Sequence, residues 1–369
     1  MKILTLTQAI SGRLSKDEQL RRETANQWPR MSLYESEINS DMLNEEFLKT
    51  VPGFRRAIYS KLPVKIAQVT EAYILRDRYD VVVSWAENLG IPFAALLMAT
   101  GKRVPHVGIF SWISRPKKAI PLKLLQSRFD RFILMSSTQK RFALEVLGIP
   151  AKKISLLRWP VDLNFWRPVK VVEQDTIGSV GREMRDYETL LDAIKDLDVR
   201  CHIAAGGSGV VAKKDQWTKH TMEGNGTRRN VTIARLPYPE LRDLYARSKF
   251  IVVPLLPTET DNGTTSILEA MAMGRAVICT RTEGQCDVLE EGRTGLFVPP
   301  RDVRALRDAI RYLLANPDVA EQMGRKGREA VEARNSLDVY INGIKGILED
   351  VLSEFQAKQH RMENLRYVE

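Results

Sequence analysis

Two carboxylates, Asp261 and Glu269, stand on either side of small and hydroxylated residues in the stretch DNGTTSILEAMAMG, residues 261–274. An apolar strand pattern, FIVVPLL, leads into this loop and an apolar helical pattern leaves it. Ser266 is the expected cap of that helix, with Glu269 in its first turn and Gly274 at its end. Free backbone N–H groups at a helix N-terminus attract phosphate, and Gly263 lets a ligand approach the backbone closely. Glu269 can accept two hydrogen bonds from a vicinal diol such as ribose, and Asp261 can accept from a second polyol. A phosphate group between two sugars is a nucleotide-sugar. On these residues alone a plainer reading stands beside it: Glu269 favours the helix dipole, and Asp261 forms an ordinary turn with Asn262 and Gly263.

The elements that must position such a loop recur along the chain. KILTLT, DVVVSW, VPHVGIF and RFILMSS in the first part, then TIGSVG, CHIAAG, NVTIAR, FIVVPLL, AVICT and GLFVPP, read as short strands separated by helical patterns. That alternation predicts parallel sheets covered by helices, in two units. Prolines and charges in RWPVDLNFWRPVKVVEQD, residues 158–175, interrupt it and mark the boundary between the units. Beyond residue 300, apolar residues at spacings of three and four predict successive amphipathic helices.

Composition bounds the rest. The 369 residues, 44% of them hydrophobic, suffice for more than one buried core. The longest apolar run, Ile91 to Ala99, falls far short of the roughly 20 residues of a membrane-spanning helix. MKILTLT turns polar too soon for a secretory signal, so a cytoplasmic chain is expected, and the N-x-[ST] matches at Asn225, Asn230 and Asn262 are read as chance. Cys201, Cys279 and Cys286 lack the spacing of a zinc site or a disulfide framework and are expected in core or loop positions. The formal net charge of +10 asks for an anionic partner.

The segment ILEAMAMGRAVICTRTEGQCDVLEEGRTGLFVPPRDVRALRDAIRYLLANP resembles the C-terminal half of the retaining glycosyltransferases of family 4. SVGREMRDYETLLDAI resembles that family's strand-to-helix turn, with Gly181, Arg182 and Arg185 in its Gly-Arg and second basic places, and PVDLNFWRP, CHIAAGG and NVTIARLPYPELRDLYARSKFIVVP resemble further segments. The resemblance covers roughly residues 130–340 and implies the GT-B fold, two Rossmann-like parallel-sheet domains facing across a cleft. The expected division is an acceptor domain at 1–165, a donor domain at 166–345, and a C-terminal helix at 346–369 that packs back on the first domain.

The resemblance implies that Glu269 holds the nucleotide ribose, that Asp261 faces the donor sugar, and that Asn262, Gly263, Thr264 and Thr265 lie beside the diphosphate. Arg182 and Arg185 would offer fixed positive charge to the departing diphosphate, which makes Asp261 and Arg182 the catalytic candidates. Aspartate at 261 departs from the family's usual glutamate and is one methylene shorter. Ser111 occupies the place where the family often carries a histidine, which leaves His106 at the start of its strand without a catalytic task. The front-face retaining mechanism of the family needs no protein nucleophile, because the diphosphate itself helps deprotonate the acceptor.

Asp196 and Asp198 form an Asp-x-Asp pair, but far in sequence from the donor loop, so a solvated pair and a metal-independent reaction without a cofactor are expected. None of His106, His202, His220 and His360 has the spacing of a metal pair. GGSG at residues 206–209 lacks the GxGxxG spacing and reads as a glycine turn rather than a dinucleotide fingerprint. The expected partners are a nucleotide-diphosphate sugar and a hydroxyl acceptor from a glycan, a lipid or a small metabolite. Residues 102–131 hold eight basic residues against one acid, interleaved with Phe110, Trp112, Ile113, Ile120 and Leu124, and Arg55, Arg56, Lys61 and Lys65 form a second basic stretch. Either ordinary solvated helix faces or peripheral contact with an anionic membrane surface account for them. Nucleic acid is discounted for want of any binding signature. The rivals to glycosyl transfer are a nucleotide-sugar epimerase of the same fold and a catalytically idle relative that binds a nucleotide-sugar or a membrane.

Overall fold

In the computed structural model, residues 1–8, 15–171, 175–205 and 230–366 are described, with side chains to residue 361. The chain forms two compact units. In the first, β1 (Ile3–Leu6), β2 (Ser40–Leu43), β3 (Val81–Trp85), β4 (His106–Phe110), β5 (Arg131–Leu134) and β6 (Ile154–Leu156) make a parallel sheet in the order β2-β1-β3-β4-β5-β6. In the second, β7 (Thr176–Val180), β8 (Arg200–Ala204), β9 (Val231–Ala234), β10 (Ile251–Val253), β11 (Val277–Thr280) and β12 (Gly295–Val298) make another, in the order β12-β11-β10-β7-β8-β9.

The near-continuous apolar strands at the middle of the second sheet, β7, β10 and β11, are buried on both faces, as parallel strands between helix layers must be. Successive residues feed opposite cores: Ile251 and Val253 join one cluster with Ile267, Leu268 and Met271, while Phe250 and Val252 join another with Leu190, Ile194 and Ile310. Cys201 and Cys279 lie in these cores, where burial pushes each thiol up to about 12, and Cys286 is exposed.

Two strands were not anticipated from sequence. β2 (SDML) and β6 (ISL) are the edge strands of the first sheet, short and partly polar, and one side of each has no strand to pair with among the described residues.

Each unit also draws on distant parts of the chain. Residues 15–31, from the segment after β1, belong to the second unit. There Arg30 grips buried Asp162 through Nη2 at 2.7 Å and through its backbone N–H at 2.8 Å, and Trp28 meets Tyr238 edge-on. The last helix, Leu337–Arg366, passes into the first unit at residue 340. Its Tyr340, Ile344, Leu348 and Val351 are buried at helical spacing, and Arg131 pairs with Glu354 at 2.9 Å. The division between units thus falls inside one continuous helix.

Candidate functional site

The second sheet reverses its winding between β7 and β10. After β7 the chain moves outward through β8 and β9, then returns to lay β10, β11 and β12 on the other side. The loops after β7 and β10 therefore part at the carboxyl ends of two adjacent strands, the place where open parallel sheets bind ligands.

The two loops are laced together. Leu256 N–H donates to the Met184 carbonyl at 2.9 Å and Asp186 N–H to the Pro254 carbonyl at 3.1 Å. Arg185 is buried beneath them: Nε donates to the Val180 carbonyl at 2.9 Å, Nη1 to the Glu183 carbonyl at 2.7 Å, and Nη2 to Ser266 Oγ at 3.1 Å. This packing dictates glycine at 181, which has φ +116° and where a Cβ would lie 2.0 Å from Arg185 Nη2. Arg182 is half-buried in the same loop. Asp186 caps the following helix, Tyr187–Ile194, by accepting from Thr189 N–H at 3.2 Å.

The helix Thr264–Ala272 starts earlier than expected. Gly263, at φ +92°, is its cap, and Ser266 lies within the first turn. The Asp261 carbonyl decides this by accepting from both Thr264 N–H at 3.2 Å and Thr264 Oγ1 at 2.8 Å, a tight turn that only the left-handed conformation at 263 can close. Ser266 is thereby free to accept from Arg185, and Glu269 moves into the second turn. The N–H groups of a first helical turn have no partners within the helix, and Thr265 stands exposed there.

Glu269 Oε2 accepts from the buried Tyr245 hydroxyl at 2.8 Å. Desolvation raises its carboxyl to about 7, against the lowering effects of the Tyr245 bond and the Arg185 charge. Asp261 is also raised by desolvation; the Trp159 indole N–H, donated to Oδ2 at 2.5 Å, opposes this, and the Asp287 charge adds to it. Both acids at the site are thus harder to ionise than free carboxylates. Two other candidates spend their side chains on the loop. Asn262 Oδ1 accepts from Thr260 and from Thr258 at 3.3 Å. Thr264 Oγ1 accepts from Gln285 Nε2 at 3.1 Å, and the same amide reaches the Asn262 carbonyl at 3.0 Å.

Trp159, Tyr245 and Gln285 were not foreseen as site residues. Trp159 reads as part of a proline-broken linker and Tyr245 as an ordinary apolar helix position, and each meets its acid only through the fold. Trp159 is itself fixed by Asn335 Nδ2, which donates to its carbonyl at 2.8 Å.

In the first unit, Ser111 directly follows β4, and its N–H donates to Glu87 Oε1 at 3.1 Å, as does Trp112 N–H at 2.8 Å. Lys118 completes this buried carboxylate's shell at 3.2 Å. His106 is fully buried, contacts Ser84 Oγ at 3.0 Å and the Arg128 carbonyl at 3.2 Å, and stacks on Phe129; burial lowers it to about 3, so it stays neutral. Asp196 and Asp198 are exposed at the opposite end of the second sheet, where Asp196 faces Arg307 at 3.7 Å. Among the described residues no cluster of three or more metal-ligating side chains occurs. The GGSG turn and His220 lie outside the described residues.

Two Rossmann-like parallel units, with paired loops and a helix N-terminus at the switch point of the second, define a protein of GT-B architecture. Residues 174–316, which contain that switch point, match the model of the family described as glycosyl transferases group 1. The chain is 25% identical over 278 residues to the alpha-D-kanosaminyltransferase of Streptomyces kanamyceticus, covering 74% of this chain and 64% of that protein. It is 29% identical over 152 residues to a D-inositol 3-phosphate glycosyltransferase of Corynebacterium urealyticum, covering 38% of this chain and 35% of that one. The chain thus aligns with less than two thirds of the length of either relative. Among solved structures, sucrose-phosphate synthase from Thermosynechococcus elongatus superposes with a TM-score of 0.70 at 17% identity, over 96% of this chain and 99% of that one. Anabaena Alr3699/HepE in complex with UDP and glucose gives 0.68 at 16% identity, over 95% and 99%.

Proposed function

We propose that the protein is a glycosyltransferase that moves a sugar from a nucleoside-diphosphate donor to a hydroxyl, with retention of configuration and without a metal ion. The observation that carries this reading is the convergence of Glu269, Arg185 and the open first turn of helix Thr264–Ala272 at the switch point of the second sheet. In the proposed complex the ribose diol bonds to Glu269, whose Oε2 is held by Tyr245 while Oε1 faces the ligand. The diphosphate meets the helix N-terminus and the cationic loop of Arg182 and Arg185. Arg185, with three donors already bonded within the protein, supplies a fixed charge and holds the loop; Arg182 makes the direct contact. Asp261 faces the donor sugar, oriented by Trp159.

The bond from the anomeric carbon to the diphosphate oxygen breaks, a bond to the acceptor oxygen forms on the same face, and the acceptor proton passes to the diphosphate. A positive site lowers the cost of the charge that develops on the leaving group. The matching of UDP and glucose to the related fold of HepE makes uridine donors the first to try. The test is incubation with a panel of nucleotide-sugars, with and without a chelator, followed by phosphorus and proton spectroscopy. Release of nucleoside diphosphate, undiminished by chelator, supports the proposal. Interconversion of sugars without release would indicate an epimerase, and binding without either would indicate an idle relative.

A further inference from the structure

No acidic residue occurs between Glu46 and Glu71, a stretch that carries Lys49, Arg55, Arg56, Lys61 and Lys65. It folds in the first unit as the end of helix Glu45–Thr50, helix Gly53–Tyr59 and the start of helix Val64–Leu75. Val51, Tyr59 and Ala67 anchor it from beneath, and the Tyr59 hydroxyl donates to Glu71 Oε2 at 2.7 Å. Its outer side is apolar. Phe54 and Ile58, four apart on one helix face, are 70% and 56% exposed, and Leu62, Val64 and Ile66 continue the exposure through the next turn. Arg55 turns inward to Glu71 at 3.4 Å, whereas Arg56, Lys61 and Lys65 stay exposed with no ion-pair partner among the described residues.

We infer that this apolar knob with its basic rim docks on an anionic lipid surface. Its apolar side chains project outward instead of lining a groove, which suits entry into the boundary between headgroups and acyl chains better than capture of a partner helix. The basic rim is complementary to acidic headgroups. No described helix is long and apolar enough to cross a membrane, so the contact is peripheral. A smaller pair of the same kind, Ile120 and Leu124 beside Lys117 and Lys123, lies on helix Pro116–Leu125, and this helix and helix Val64–Leu75 both pack against helix Glu87–Ala99. The aromatic part of the run 102–131 takes no part: Phe110 and Ile113 are core, and Arg115 covers Trp112, its guanidinium 3.6 Å from the ring centre.

The inference is independent of the donor site. The full chain is sedimented with vesicles of phosphatidylcholine alone and of phosphatidylcholine with phosphatidylglycerol, at two salt concentrations. Recovery with the anionic vesicles should exceed that with neutral ones by about tenfold and fall as salt rises. Phe54→Asp with Ile58→Asp should reduce it by at least about tenfold, as should Lys61→Glu with Lys65→Glu, while the thermal midpoint holds because all four side chains are exposed. Equal recovery on both vesicle types, or undiminished binding by the Phe54→Asp, Ile58→Asp variant, would overturn the inference. So would capture of soluble polyglutamate without vesicle binding, which would assign the surface to an acidic protein.

Discussion

Replacing Glu269 by glutamine should stabilise the empty protein at neutral and alkaline pH. The carboxyl is raised from its ordinary 4.5 to about 7, chiefly by desolvation. A raised acid contributes stability that is full below its unfolded value and is lost as pH rises through its folded value. At about 1.4 kcal/mol per pH unit, the difference amounts to about 3 kcal/mol, lost between roughly pH 4.5 and pH 7. Glutamine does not titrate, fills nearly the same space and can accept the Tyr245 hydroxyl through its amide oxygen. Urea unfolding of both proteins without nucleotide, at about pH 4 and about pH 8, isolates the effect, since groups common to both cancel. The wild type should lose about 3 kcal/mol relative to Glu269→Gln across that interval. If their difference in stability is the same at both pH values, the carboxyl is not desolvated as described, and the reasoning about how the site holds this acid ready for a ligand fails.

Other consequences can be checked directly. Trp159→Phe removes the indole donor from Asp261; affinity for a nucleoside diphosphate should hold in calorimetry, while preference for the sugar conjugate falls by about tenfold, and the acid limb of the kcat profile moves to higher pH because the lost bond had lowered Asp261. An equal loss for the sugar-free diphosphate would contradict that role. Gly181→Ala places a methyl group against Arg185 at a positive φ, and should cost about 2–4 kcal/mol in chemical denaturation; unchanged stability would mean that Arg185 is not held as described. His106 should show the ring shifts of a neutral imidazole at about pH 5, and because its folded value lies below the unfolded one, its burial weakens the fold as pH falls below about 6.5.

Much of the backbone architecture around the switch point was legible because its signals are local. Gly181, Arg185, Gly263 and Glu269 sit in strand-turn-helix patterns whose spacing is set within about 20 residues. The cap of the helix was misread for a physical reason: Gly263, Thr264 and Ser266 can all serve near a helix start, and the choice depends on the Thr264 hydroxyl closing on the Asp261 carbonyl. Trp159 and Tyr245 were invisible as site residues because they reach Asp261 and Glu269 across 102 and 24 positions of chain. The edge strands Ser40–Leu43 and Ile154–Leu156 carry too little apolar pattern to announce themselves, since only their neighbours define them. The basic stretches showed charge but not which apolar residues were surface; Phe110 and Phe54 look alike in sequence, yet one is core and the other 70% exposed.

The most direct test of the proposed site is titration calorimetry of a panel of nucleoside diphosphates into the wild type and into Glu269→Ala. At least one diphosphate should bind the wild type, and the alanine variant, still folded, should bind it at least about tenfold more weakly through loss of the ribose contact. Identical affinities in two folded proteins, or no binding by the wild type to any member of the panel, would contradict the assignment of the switch-point crevice as a nucleotide-sugar site.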